Sequence, residues 1–203
     1  MRRPPKHPAR VRRKATGSGK APAIDIVIDS PLWKARRGVK AVLLQAVAAA
    51  ASLVPTISGE LAIVLTDDSA IRILNREWRG KDRATNVLSF PAPAPSRCDR
   101  AAAGLPRERP SKEPRRLLGD IVIAYETVAR EADAADKPFR HHLAHLAVHG
   151  FLHLLGHDHV ADTEAEAMEA IEIAALAGLQ VPNPYPPSSF PGPRSAHREA
   201  RRT

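Results

Sequence analysis

The stretch HLAVHGFLHLLGHDHVAD, residues 145–162, holds five of the nine histidines of this 203-residue chain. Its surroundings are apolar enough to be buried, so its imidazoles need partners. The periodicity predicts a helix over 138–156, opened by Pro138 and closed by Gly156. His149 and His153 are four residues apart, which places both rings on one face, one turn apart. Gly156 lets the chain leave the helix in a left-handed conformation and turn back. His159 then arrives as a third candidate ligand, completing H-x-x-x-H-x-x-G-x-x-H. Three neutral imidazoles with a fourth position open is the pattern of a catalytic zinc site rather than a structural one.

The other polar groups of this stretch leave alternatives open. His145 and His141 continue the stripe one and two turns back, as groups that orient ligands or face substrate, or as packing residues. His157 reads as a neighbour of the metal, because a fourth imidazole would close the site. Asp158 either orients a ligand ring or caps the turn. Gly150 stands where zinc proteases of the H-E-x-x-H-x-x-G-x-x-H kind carry their glutamate, the base that takes a proton from metal-bound water. Glycine accepts no proton, so the metal cage survives here without the peptidase mechanism.

Around this helix the pattern alternates. Strands are expected at 23–29, 60–67, 85–91 and 117–126, and helices at 39–53, 67–80, 127–136 and 162–179. Asp67, Asp68 and Ser69 are cap candidates for the second helix, and Asp162 or Thr163 for the last. The result is a single α+β domain, with one small mixed sheet and helices gathered towards the C-terminal half. Aromatic residues are only 4% of the chain, so its core must be aliphatic. The longest apolar run, 41–54, ends at Pro55 and is too short to span a membrane. No hydrophobic segment follows the basic N-terminus, which argues against a secretory signal. A lone cysteine, Cys98, excludes an internal disulfide and fits a reducing, cytoplasmic compartment.

Charge is unevenly spread. Residues 1–22 carry eight lysines and arginines and no acid; the proline-rich loop 92–116 carries seven against three, and the tail 181–203 four against one. Because the whole chain is +9, the remainder sums to −6. The three basic segments read as disordered or loose, either solubilising or recruiting a polyanion such as RNA.

Three blocks in order carry a family resemblance. HGFLHLLGHDH (149–159) resembles the signature of the YbeY family of bacterial rRNA maturation factors, metal-dependent single-strand endoribonucleases. LNREWRGKDRATNVLSFP (74–91) and LLGDIVI (117–123) resemble two further family segments, and with the acidic stretch ADTEAEAMEAIE (161–172) the likeness covers about residues 23–180. The resemblance implies a zinc-peptidase-like α+β fold with the metal-binding helix near the C-terminus. It implies one Zn2+ per chain on His149, His153 and His159, with Arg79 as the essential active-site arginine. It implies cleavage of single-stranded rRNA in 16S 3′ end maturation, ribosome quality control, and the small ribosomal subunit as partner.

Departures are His157, where the family usually has tyrosine, the long basic loop and both extensions. Arg79 also makes sense alone: a permanently charged, bidentate guanidinium suits the negative charge of a phosphodiester transition state. As a cation near a helix C-terminus it equally suits a plain surface role. Thr85, Asn86 and Ser89 shape the same cleft or satisfy strand ends, and Asp120 is a candidate carboxylate behind the ligands. Two other functions compete: an assembly factor that binds the ribosome with a mainly structural metal, and a metallohydrolase of another substrate class.

Overall fold

The computed structural model describes residues 22–54, 59–93, 116–157 and 162–185. The basic N-terminal segment up to residue 21, the loop between 94 and 115, and the tail from 186 lie outside the described residues.

Four strands, β1 (Ala23–Ile28), β2 (Glu60–Thr66), β3 (Val87–Pro91) and β4 (Leu117–Ala124), form one sheet in the order β1-β2-β4-β3. The first three in that order run parallel, and β3 pairs antiparallel with β4 at the edge. The sheet is therefore mixed, as expected. Among the described residues five helices accompany it: α1 (Val39–Leu53), α2 (Asp68–Arg79), α3 (Tyr125–Ala134), α4 (Phe139–Leu154) and α5 (Asp162–Gly178). A short 3-10 turn, Pro31–Ala35, is an addition that no periodicity announced.

Period-two alternation gives the sheet two apolar faces. Leu61, Ile63 and Leu65 of β2 and Ile121 and Ile123 of β4 face α1, α4 and α5 in the main core. Leu88, Val122 and Ala124 face the other way and meet Ile71 of α2. The core is aliphatic except for Phe151 and one aromatic cluster, in which Trp33 packs edge-on against Tyr125 and Phe139. The Trp33 indole donates to the Thr66 carbonyl at 2.7 Å, so its polar edge is satisfied.

Both ends of α2 follow the sequence signals. The Asp67 side chain accepts from the Ala70 amide at 3.0 Å, and Gly80 ends the helix. Asp68 reaches across to accept from the Thr127 amide and hydroxyl, tying α2 to α3.

Helix α4 is apolar on most sides and runs through the core, burying Leu143, Leu146, Val148, Phe151 and Leu152 among others. Gly150 is where it touches the sheet. A Cβ there would lie 2.9 Å from Ile121 Cγ2 and 3.2 Å from Ser89 Oγ. The Ser89 hydroxyl donates to the Gly150 carbonyl at 3.2 Å. The missing glutamate thus has a second physical reason: position 150 has no room for a side chain.

Gly150→Ala should therefore destabilise the fold. Overpacking at such a site costs about 1–3 kcal/mol, of which better helix propensity returns about 1 kcal/mol. The urea midpoint of the variant should fall; an unchanged midpoint would mean that α4 lifts from the sheet without cost.

Candidate functional site

Helix spacing sets His142, His145, His149 and His153 in one stripe along α4. Successive ring centroids are 6.4, 6.1 and 4.6 Å apart. The stripe runs through His142 rather than the neighbouring His141. The His142, His145 and His149 side chains retain 16%, 21% and 26% exposure, so the row lies at the margin of the core, where solutes can reach it.

His149 Nε2 and His153 Nε2 converge to 3.2 Å. Two nitrogens bound to one tetrahedral ion at ~2.0–2.1 Å would stand about 3.3 Å apart. The opposite edge of the His149 ring fixes its proton. Its Nδ1 lies 2.8 Å from Oε1 of Glu172, on α5, whose side chain is fully buried. An ionised carboxylate only accepts, so Nδ1 carries the hydrogen. In the neutral ring this leaves the Nε2 lone pair directed at His153.

Glu172 also accepts from His145 Nε2 at 3.4 Å and from the Tyr185 hydroxyl. Burial pushes its carboxyl up, but the hydrogen bonds from His145, His149 and Tyr185 outweigh burial and hold it at about 2. Burial, and then Glu172 itself, drives the Tyr185 hydroxyl well above its ordinary value. His145, His149 and Glu172 present ligand atoms within 4.8 Å of one another, so this trio could hold a metal ion. Its carboxylate already accepts three hydrogen bonds. The Nε2 atoms of His149 and His153 meet at the other edge of the His149 ring, away from Glu172.

Two of the expected ligands are thus brought together. His159 and Asp158 lie outside the described residues. His157 is half-buried, and its amide bonds back to the Leu152 carbonyl as the chain leaves α4 through Gly156, at φ +89°. Arg79 is exposed at the last turn of α2, on the opposite face of the sheet from α4. Each helix nonetheless meets one of two adjacent residues of the edge strand. Trp78, beside Arg79, packs edge-on against Phe90 at 5.5 Å, while Ser89 holds Gly150. No ion pair engages Arg79 among the described residues.

Ser89 seats α4 against the sheet. Asn86 satisfies a strand end. Its carbonyl oxygen accepts from the Val87 amide at the strand end, and its amide joins Glu131, which also meets His142 at 2.8 Å. Asp120 shares the sheet face of Val122 and Ala124, away from α4, and so does not stand behind the ligands.

Sequence reasoning missed Glu172 and Tyr185. Glu172 had a signal: it falls on the buried stripe Met168, Glu172, Ala175, Leu176, where a carboxylate needs a partner. Tyr185 had none, and its segment was expected to be loose. In the fold, residues 181–185 are anchored. Lys137 Nζ donates to the Pro184 carbonyl, the Tyr185 amide donates to Asn183, and the phenol ring packs edge-on against His145.

The chain matches the family model described as Endoribonuclease YbeY over residues 32–180. A protein named Endoribonuclease YbeY from Rhodopseudomonas palustris (strain BisB5) is 50% identical over 172 residues, which is 83% of this chain and 84% of that protein. Another of that name, from Nitrobacter winogradskyi, is 51% identical over 168 residues, 82% of this chain and 83% of the relative. Among solved structures, the solution structure of TM1509 from Thermotoga maritima aligns with a TM-score of 0.43 and 22% identity, over 84% of this chain and 99% of that one.

Glu172→Gln should cost the metal-free protein about 1–3 kcal/mol at neutral pH, since an amide cannot accept all three bonds. The acid limb should change too. A carboxyl lowered from 4.5 to about 2 stabilises the fold above 4.5, and that contribution is lost as pH falls towards 2. Denaturation of both metal-free proteins across this window should show a smaller acid loss in the variant. Equal acid losses would show that Glu172 is not the group responsible.

Proposed function

The chain belongs to the YbeY endoribonuclease family, and we propose that it is a zinc-dependent endoribonuclease that cleaves single-stranded rRNA. Its proposed place is 16S rRNA 3′ end maturation and ribosome quality control, on the small ribosomal subunit in the cytoplasm. Among the described residues no helix is long and apolar enough to cross a membrane. The observation that carries the metal reading is the pair of imidazole Nε2 atoms 3.2 Å apart, with Glu172 fixing the tautomer of one of them.

The donor set fits zinc. His149, His153 and His159 are borderline nitrogen ligands, and the chain's only cysteine, Cys98, lies in the 92–116 loop, so thiolate coordination is not the design. When bound, zinc supplies Lewis-acid polarisation at an open coordination position. The protein's own groups do the rest. Glu172 orients His149 and raises its basicity as a ligand. Arg79 approaches from the far face of the edge strand and offers a forked, permanent charge to nonbridging phosphate oxygens. Gly150 leaves no base at the peptidase position and no space for one, which favours phosphodiester over peptide chemistry.

The ligands are tested by elemental analysis. His153→Ala should lose its zinc and His157→Ala should keep it; full zinc in the first would sink the ligand assignment. Cleavage of a defined single-stranded rRNA fragment, with and without chelator and with end-group analysis of the products, tests the activity. Chelator-insensitive ribosome maturation without cleavage would favour the binding-factor alternative.

Arg79→Ala should retain zinc and fold yet lose on the order of a hundredfold or more in rate, about 3–4 kcal/mol of barrier. Arg79→Lys should recover only part, since an ammonium cannot reproduce the fork. Near-normal cleavage by zinc-loaded Arg79→Ala would remove the arginine from the mechanism.

A further inference from the structure

From Ser30 to Gly59 the chain has no acidic residue, yet it carries Lys34, Arg36, Arg37 and Lys40. The fold sets Arg36 and Arg37, at the entrance to α1, against the first turn of α4, where Arg140 stands. A cavity of about 250 Å3 opens between them. Its walls include the three arginines and its floor is apolar, with Val42, Phe139 and Leu143. No carboxylate pairs with any of these guanidinium groups among the described residues.

Arg36 is held ready. Its Nε donates to the Tyr125 hydroxyl at 3.0 Å, and its guanidinium carbon lies 4.6 Å from the centroid of the Phe139 ring. The two terminal nitrogens stay uncommitted, so the fork is fixed before any ligand arrives. An unpaired cluster of cations costs mutual repulsion, which an anion relieves.

We propose that Arg36, Arg37 and Arg140 form a second RNA-binding site, which holds a backbone phosphate with its sugar or base against the apolar floor. This rests on the endoribonuclease reading above. Ten residues of α4 separate Phe139 from His149, ~15 Å along the helix axis. The phosphate held here therefore belongs to a different part of the strand from the scissile one. The site contributes affinity and register, not chemistry. A phosphodiester chain fits better than an acidic protein segment. It matches the guanidinium fork bidentately, and its ribose and base supply the flat, apolar surface that the floor requires.

The test uses the full chain with zinc and compares Arg37→Ala/Arg140→Ala with wild type, leaving Arg36 on its aromatic support. Two substrates are needed: a long single-stranded rRNA fragment and a short oligonucleotide that only spans the cleavage site. On the long RNA the double variant should show a KM raised roughly tenfold. Its log–log salt dependence should be shallower by about 1.4, for two phosphate contacts at ~0.7 each on single strands. Its kcat, zinc content, melting temperature and KM for the short oligonucleotide should match wild type. Arg37→Lys/Arg140→Lys should recover most of the salt slope but only part of the affinity.

An active double variant with wild-type constants on the long RNA overturns the second site alone. Wild-type protein that cleaves neither RNA overturns the ribonuclease reading itself. Poly-glutamate that displaces long RNA as efficiently as RNA does, and only when the arginines are present, assigns the pocket to an acidic protein and also overturns the proposal.

Discussion

Glu172 is a negative charge with no exposed side-chain surface, and such a group persists in a protein only where donors converge on it. Here the donors come from His145 and His149 on α4 and from Tyr185 beyond α5. One carboxylate thereby couples three parts of the chain. It fixes the tautomer of an imidazole, binds two helices together, and anchors the start of a proline-rich segment that has little apolar surface of its own. Replacing the whole arrangement with apolar side chains would serve stability equally well. What an apolar replacement would not supply is a ring whose Nε2 stands 3.2 Å from the Nε2 of a second ring.

The seat of α4 determines where that pair can act. Because Gly150 lets the helix backbone rest on Ile121 and Ser89, the histidines come close to the edge strand β3. The other face of the same edge is covered by α2, whose last turn carries Arg79 beside Trp78 and Phe90. Among the described residues β3 is the outer strand of the sheet, with a helix against each of its faces. On the proposed reading, the metal ligands and a charge-stabilising arginine would reach one phosphate from these two sides without competing for each other. The opposite end of α4 carries a separate concentration of positive charge. The three arginines thus stand at the start of this helix, about ten residues ahead of His149.

Much of this was legible in the chain itself. Local signals determined the elements. Asp67 and Gly80 bound α2, Gly156 follows the end of α4, and alternation of apolar and acidic residues marks β1, because caps, turns and amphipathic periods act over a few residues. The pairing of His149 with His153 was equally readable, since four residues is one helical turn. Sequence also showed that Gly150 removes the peptidase base. The ring partners were decided elsewhere. Glu172 is 23 residues from His149, and Tyr185 is 13 further on. Only the packing of α5 on α4 makes them neighbours. The same holds for Arg79, whose position across the edge strand depends on strand order, and for Arg140, which meets Arg36 and Arg37 only when α4 crosses the entrance of α1. Contacts between elements depend on how apolar faces are stacked. No pattern within a single element records that stacking, so tertiary structure alone decided which charges stand together.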